Sequence, residues 1–160
     1  MAYLFDANIL IRSKNDMPID IWPTFWNKIK WLIETGNIYT SVKVKEEIDR
    51  GDDELTEWLK SNAPESFYIP LDVEIMTKYA ETINWARGRN WFQPQAINDF
   101  ANVADAYLVA TASVRDMVLV TYETPDVNCK RRVKIPDACI ALGVRYCDFN
   151  SVLREIGIVI

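Results

Sequence analysis

Five short apolar runs alternate with helical patterns along this chain, and that alternation limits the fold more than any other property. The runs lie at residues 3–5, 37–40, 67–69, 117–121 and 144–147. Between them, apolar residues recur at helical spacing. From Pro18 to Gly36 they are Trp22, Phe25, Trp26, Ile29, Leu32 and Ile33; from Ser41 they are Val44 and Ile48. Leu55, Trp58 and Leu59 mark a helix opening at the acids 52–54, and Ile75, Met76, Tyr79, Ala80 and Ile83 mark one over 73–86. The alanine-rich stretch 96–115 reads as helical, and another helix follows Ile135. Strands separated by helices require crossovers and pair in parallel. Right-handed crossovers lay helices on both faces of the sheet. The expected fold class is α/β: a three-layer α/β/α sandwich around a central parallel sheet of about five strands, with residues 1–160 forming one domain.

Composition removes whole classes of chemistry. The 160 residues contain no histidine, so His-based triads, zinc sites and general-base schemes are excluded. Catalysis has to come from carboxylates, hydroxyls, lysine or a metal ion. A net charge of −5 argues against holding nucleic acid by bulk electrostatics, though not against a local basic groove. Cys129, Cys139 and Cys147 are odd in number and lack CxxC spacing, which fits neither structural zinc nor a disulfide framework. They read as small buried hydrophobes in a reducing compartment. No basic leader or membrane-length apolar run is present, so a cytoplasmic location is expected.

The apolar run Tyr3-Leu4-Phe5 ends on Asp6, with Asn8 and the helix-forming Ile9-Leu10-Ile11 behind it. That places Asp6 at the carboxyl edge of a buried strand, where open α/β sheets bind ligands. Three further acids take comparable positions. Glu47 borders the buried face of the Ser41 helix, three residues after Val44 and beside Ile48, whereas Glu46 falls on the opposite side. Asp105 shares a stripe with Leu108 and Ala112 near the start of an alanine-rich helix, whose small Ala104, Ala106 and Ala110 permit close packing. The run ending at Thr121 leads into Tyr122-Glu123, with Asp126 three residues on.

Singly, an acid near a helix start is more often a cap or a complement to the helix dipole. Together, clustered carboxylates repel and raise one another's pKa values unless a cation sits among them. Hard oxygen ligands without His or Cys suit Mg²⁺ or Mn²⁺. Such ions carry water that can attack a phosphodiester while developing charge is stabilised.

These segments resemble those of the PIN domain, the fold of VapC-type toxins and related metal-dependent ribonucleases. Phe5-Asp6-Ala7-Asn8-Ile9-Leu10 is similar to the family's opening Asp-x-Asn-hydrophobic motif. Ser41-Val-Lys-Val-Lys-Glu-Glu-Ile48 resembles the helix carrying its second acid, and Ala104-Asp105-Ala106-Tyr-Leu-Val-Ala-Thr-Ala112 the third. Leu119-Val-Thr121-Tyr-Glu123 resembles the strand ending in the fourth, where Thr-x-Asp is usual. The motifs keep the family's order across nearly the whole chain.

The resemblance implies a sheet in the order 3-2-1-4-5 and a metal-dependent endoribonuclease. Asp6, Glu47, Asp105 and Glu123 would hold Mg²⁺ or Mn²⁺ and activate a water, with Asn8, Thr121 and Asp126 in support. Asp126 is the nearby substitute for Glu123. It also implies the toxin of a toxin–antitoxin pair, with RNA as substrate and a cognate antitoxin protein as partner. The segment from Thr124 to Lys134, followed by Ile135-Pro-Asp-Ala-Cys139, departs from the toxins' short turn and resembles a less characterised branch.

Two basic groups could guide RNA. Lys130, Arg131, Arg132 and Lys134 crowd the loop after the fourth acid. Arg87 and Arg89 sit beside Trp85, Trp91 and Phe92, aromatic faces on which unstacked bases can rest. Trp22 and Trp26 fall on one side of their helix and Trp31 is rotated away, so an exposed Trp31 would suit a homodimer face or an antitoxin groove.

Other readings compete. A haloacid-dehalogenase-type phosphatase needs a second Asp two residues after Asp6, where this chain has Asn8, and no Gly-rich turn supports a dinucleotide site. The alternative function is a catalytically degenerate PIN-like module for RNA binding or assembly.

Overall fold

A computed structural model describes residues 1–160. Its centre is β1 (Tyr3–Phe5), whose continuous apolar run buries every side chain. β1 pairs in parallel with β2 (Ile38–Ser41) on one side and β4 (Val118–Val120) on the other, Leu4 lying in register with Tyr39 and Leu119. β3 (Tyr68–Ile69) and β5 (Tyr146–Cys147) complete a five-stranded parallel sheet in the order β3-β2-β1-β4-β5. The expected fold class and strand order are therefore met. Because all strands run the same way, their carboxyl ends share one edge of the sheet.

Helices occupy the crossovers: α1 (Ala7–Asp16) and α2 (Pro23–Glu34), then α3 (Val42–Gly51) and α4 (Glu54–Asn62). α5 (Val73–Gly88), α6 (Pro94–Asn102) and α7 (Ala104–Arg115) lead into β4; α8 (Ile135–Leu142) and α9 (Phe149–Ile156) flank β5. No helix is long and apolar enough to cross a membrane. Phe5 meets Phe149 edge-on at 5.6 Å, and Phe149 meets Phe25 edge-on at 6.1 Å, so aromatic packing joins the sheet to α9 and α9 to α2.

Several local expectations are corrected. The helix expected from Pro18 begins at Pro23, because the residue before a proline is driven out of the helical region and Trp22 takes φ −118°, ψ 58°. Trp22 is thereby exposed instead of sharing the buried face with Trp26, while Trp31 is exposed as its phase implied. The stretch 96–115 is two helices, broken where Val103 turns extended. α9 has no counterpart in the sequence reading, although Asp148 caps it by accepting the Ser151 N–H at 2.8 Å. All three cysteines are free, but only Cys139 is buried; Cys129 and Cys147 are half-buried.

Candidate functional site

Asp6 is the residue at which β1 becomes α1. Its backbone N–H extends the sheet by donating to the Val120 carbonyl at 3.0 Å, and its side chain is buried. The Thr121 hydroxyl donates to Asp6 Oδ2 at 3.2 Å. Burial, then the charge of Glu123, lifts the Asp6 carboxyl to about 6, against the opposing pull of Thr121 and the Asn8 backbone amide.

Glu123 follows from β4 across the same edge. Its N–H donates to Thr121 Oγ1 at 3.1 Å, so one hydroxyl ties Asp6 to the Glu123 backbone. Glu123 Oε2 accepts the Ile135 N–H at 3.2 Å. Oε1 is buried without a hydrogen-bond partner, although Arg132 Nη2 lies 2.6 Å away. The contact has the distance of an ion pair and lacks the alignment of a hydrogen bond.

Asp105 lies in the first turn of α7. Burial is the largest influence on its carboxyl, followed by the charges of Asp6 and Glu123; they push it up to about 8 despite Arg132, whose guanidinium is 4.0 Å from Oδ2. Glu47 reaches from α3, which Ser41 starts by accepting the Lys43 N–H at 3.1 Å. Glu47 Oε1 accepts the Ala104 N–H at 2.9 Å. An acid from α3 thus satisfies an orphan donor at the start of α7 and fixes where Asp105 projects. Glu46 is exposed, paired with Lys43.

The structure brings Asp6, Glu47, Asp105 and Glu123 to one sheet edge, close enough for their charges to act on one another. Thr121 lies among them, buried. Asn8 is exposed and contributes only its backbone amide. Asp126 stands apart: its Oδ1 accepts the Asn128 N–H at 3.1 Å, and its own N–H donates to the buried Asp137 at 3.0 Å. As the side chains lie, no three acids form a ready ligand group, and the cation standing among them is Arg132.

The segment after α5 packs against the basic loop at its Trp91–Gln93 end. Trp91 Nε1 donates to the Cys129 carbonyl at 3.1 Å, Gln93 N donates to the Lys130 carbonyl at 2.9 Å, and the Lys130 ammonium sits 4.4 Å over the Trp91 ring. Arg89 covers Trp85 and Phe92 at 5.8 and 5.4 Å, so these aromatics carry cations of their own chain. Arg87 and Arg131 are exposed, and Lys134 precedes α8. A cavity of about 220 Å³ opens beside Asp105 between Arg131, Arg132 and the α6 residues Ala96 and Phe100.

A polar cavity of about 290 Å³ lies on the other side of Val103, lined by Lys43, Glu47, Arg50, Asn102 and Tyr107. Lys43 and Arg50 are absent from the sequence reading. Their spacing of four before and three after Glu47 on one helix is the signal that identifies them.

A five-stranded parallel sheet in this order, wrapped by helices, is a PIN-like fold. The chain belongs to the family described as Domain of unknown function (DUF4411), whose model matches residues 3–160. Among solved structures, it is similar to a chain of VapBC2 from Rickettsia felis, bound to a DNA fragment from their promoter. That match has a TM-score of 0.60 and 16% identity, covering 93% of this chain and 99% of that one. It is also similar to FitAcB from Neisseria gonorrhoeae, with a TM-score of 0.51 and 16% identity over 90% of this chain and 95% of that one. No curated protein sequence matches.

Proposed function

We propose that this protein is a metal-dependent endoribonuclease and the toxin of a toxin–antitoxin pair. The observation that carries the proposal is a demand for positive charge at the sheet edge that Arg132 meets only in part. Glu123 Oε1 is buried without a hydrogen bond, and the Asp6 and Asp105 carboxyls are raised to about 6 and about 8. The donor set is all hard oxygen, which fits Mg²⁺ or Mn²⁺.

Asp6, Asp105 and Glu123 would hold the ion, with Glu47 completing the set. An ion bound there supplies the Lewis acidity and the activated water that phosphodiester hydrolysis needs. The chain supplies the rest. Thr121 fixes Asp6 and the start of the Glu123 segment through one hydroxyl. Glu47 holds the N-terminus of α7 and so the direction of Asp105. Arg131 would offer a phosphate contact at the 220 Å³ cavity, and Lys130 and Lys134 in the same loop would add to it, so an RNA backbone would lie against the carboxylates. Arg87 and Arg89 would extend that track.

The fold shared with VapBC2 and FitAcB supports the toxin role and a cognate antitoxin protein as partner. Exposed Trp31 offers a face for that antitoxin or for a homodimer.

The test is incubation of pure protein with labelled structured RNAs in Mn²⁺, Mg²⁺ or EDTA, beside Asp6→Ala. Metal-dependent cleavage that vanishes in the variant is the expected result. Absence of cleavage across the panel by folded protein refutes a general nuclease. One observation favours the degenerate binding module instead, namely that Arg132 already stands among the acids. A Mn²⁺ titration separates the readings, since a degenerate module has no use for the ion.

A further inference from the structure

We infer that Arg132 is the resident counter-ion of the carboxylate centre, and that a divalent cation loads by displacing it. The inference rests on the metal-site reading above and adds what that site must release. No other basic side chain forms an ion pair with Asp6, Glu47, Asp105 or Glu123; Arg132 Nη2 alone approaches, at 2.6 Å from Glu123 Oε1 and 4.0 Å from Asp105 Oδ2.

The contact is built to be given up. A settled Arg–carboxylate pair is forked, with two parallel hydrogen bonds. Here Glu123 Oε1 accepts none, and its other oxygen is already taken by the Ile135 N–H at 3.2 Å. The Arg132 side chain is 54% exposed while that of Glu123 is 10% exposed, so the acid is fixed and the guanidinium has water to return to.

The loop need not move when it leaves. Before Arg132, the Lys130 carbonyl accepts the Gln93 N–H at 2.9 Å; after it, Val133 is buried and Ile135 N–H is bonded to Glu123. With the backbone held on both sides, rotation of one side chain opens the centre. A single positive charge is then exchanged for a double one among four acids, and the freed guanidinium stays at the mouth of the cavity it lines with Arg131. Metal loading and release of a phosphate-binding cation thus become one event.

Calorimetric Mn²⁺ titration of the metal-free protein, Arg132→Gln, Arg131→Gln and Asp6→Asn tests this without any activity measurement. Arg132→Gln keeps the stem and a polar head, and its exposed position leaves folding intact. It should bind Mn²⁺ roughly fivefold more tightly than the parent, the scale of a partly exposed ion pair no longer broken. Arg131→Gln removes the same charge one residue away and should change affinity by less than about twofold, the size of a screened surface charge. Asp6→Asn should abolish binding. Equal or weaker binding by Arg132→Gln overturns the inference while leaving the metal site standing. Failure of both the parent and Arg132→Gln to bind Mn²⁺ overturns the metal site, and the inference with it.

Discussion

Glu47 accepts the Ala104 N–H at 2.9 Å while its charge bears on both Asp6 and Asp105, so its structural and electrostatic roles can be separated by substitution. Glu47→Gln keeps an acceptor for α7 and removes the charge; its melting temperature should stay near that of the parent while Mn²⁺ affinity falls. Glu47→Ala also leaves the N–H unpaired and should lose about 1 kcal/mol in chemical denaturation. Thr121→Val is the complementary case. It removes a donor to Asp6 and an acceptor for the Glu123 N–H, and should lose roughly 1–3 kcal/mol by the same measurement. Helical phase alone distinguishes Glu47 from Glu46, which is why that residue was legible in the sequence. Asp126 was drawn into the expected set because it is near Glu123 in the chain, but a turn bonded to Asn128 and Asp137 carries it elsewhere. The ion pair of Arg132 was not legible, because nothing in a run of basic residues says which one folds back.

The strands were legible because each is a short apolar run, and the parallel order follows from helices between them. The ends of helices were less so. Pro23 displaces the start of α2, a recognisable signal. The break at Val103 has no Gly or Pro to announce it, and the acceptor that serves the next helix's first N–H comes from Glu47, distant in sequence. This difference between neighbouring tryptophans gives α2 its own prediction. Trp26 is buried, meets Trp58 at 4.9 Å and donates its indole N–H to the Met17 carbonyl at 2.7 Å. Trp26→Ala should destabilise by about 3–5 kcal/mol, through lost packing and an unpaired carbonyl. At about 2–4 °C per kcal/mol for a chain of this size, the melting temperature should fall on the order of 10 °C. Trp22→Ala, four residues earlier and exposed, should shift stability by no more than about 0.5 kcal/mol. Equal losses for both would contradict the register of α2.

Across the whole molecule, the carboxylate centre sets how stability depends on pH. The folded Asp6 and Asp105 carboxyls, at about 6 and about 8, lie above their ordinary value of 3.8. Between that value and the folded ones, the native protein holds more protons than the unfolded chain, so unfolding releases them and stability falls as pH rises. The contribution is complete below about pH 4 and is lost through about pH 8. Asp53 and Asp148 act in the opposite sense. Lys14 and the helix-start N–H groups lower the Asp53 carboxyl, and the Ser151 backbone and hydroxyl lower that of Asp148. Their contribution is present above the ordinary carboxylate range and is lost as pH falls through it. Metal-free protein should therefore be most stable in mildly acidic solution, and its melting temperature should drop between about pH 5 and pH 8. Asp105→Asn, which cannot ionise, should flatten that descent and be more stable than the parent at pH 8. Saturating Mn²⁺ should raise the melting temperature most at pH 8 and least at pH 5, because the ion competes with the same protons for the same oxygens. A metal-free protein whose stability rises from pH 5 to 8 would show that the acids are not jointly buried, and a pH-independent effect of Mn²⁺ would place the ion somewhere other than this edge of the sheet.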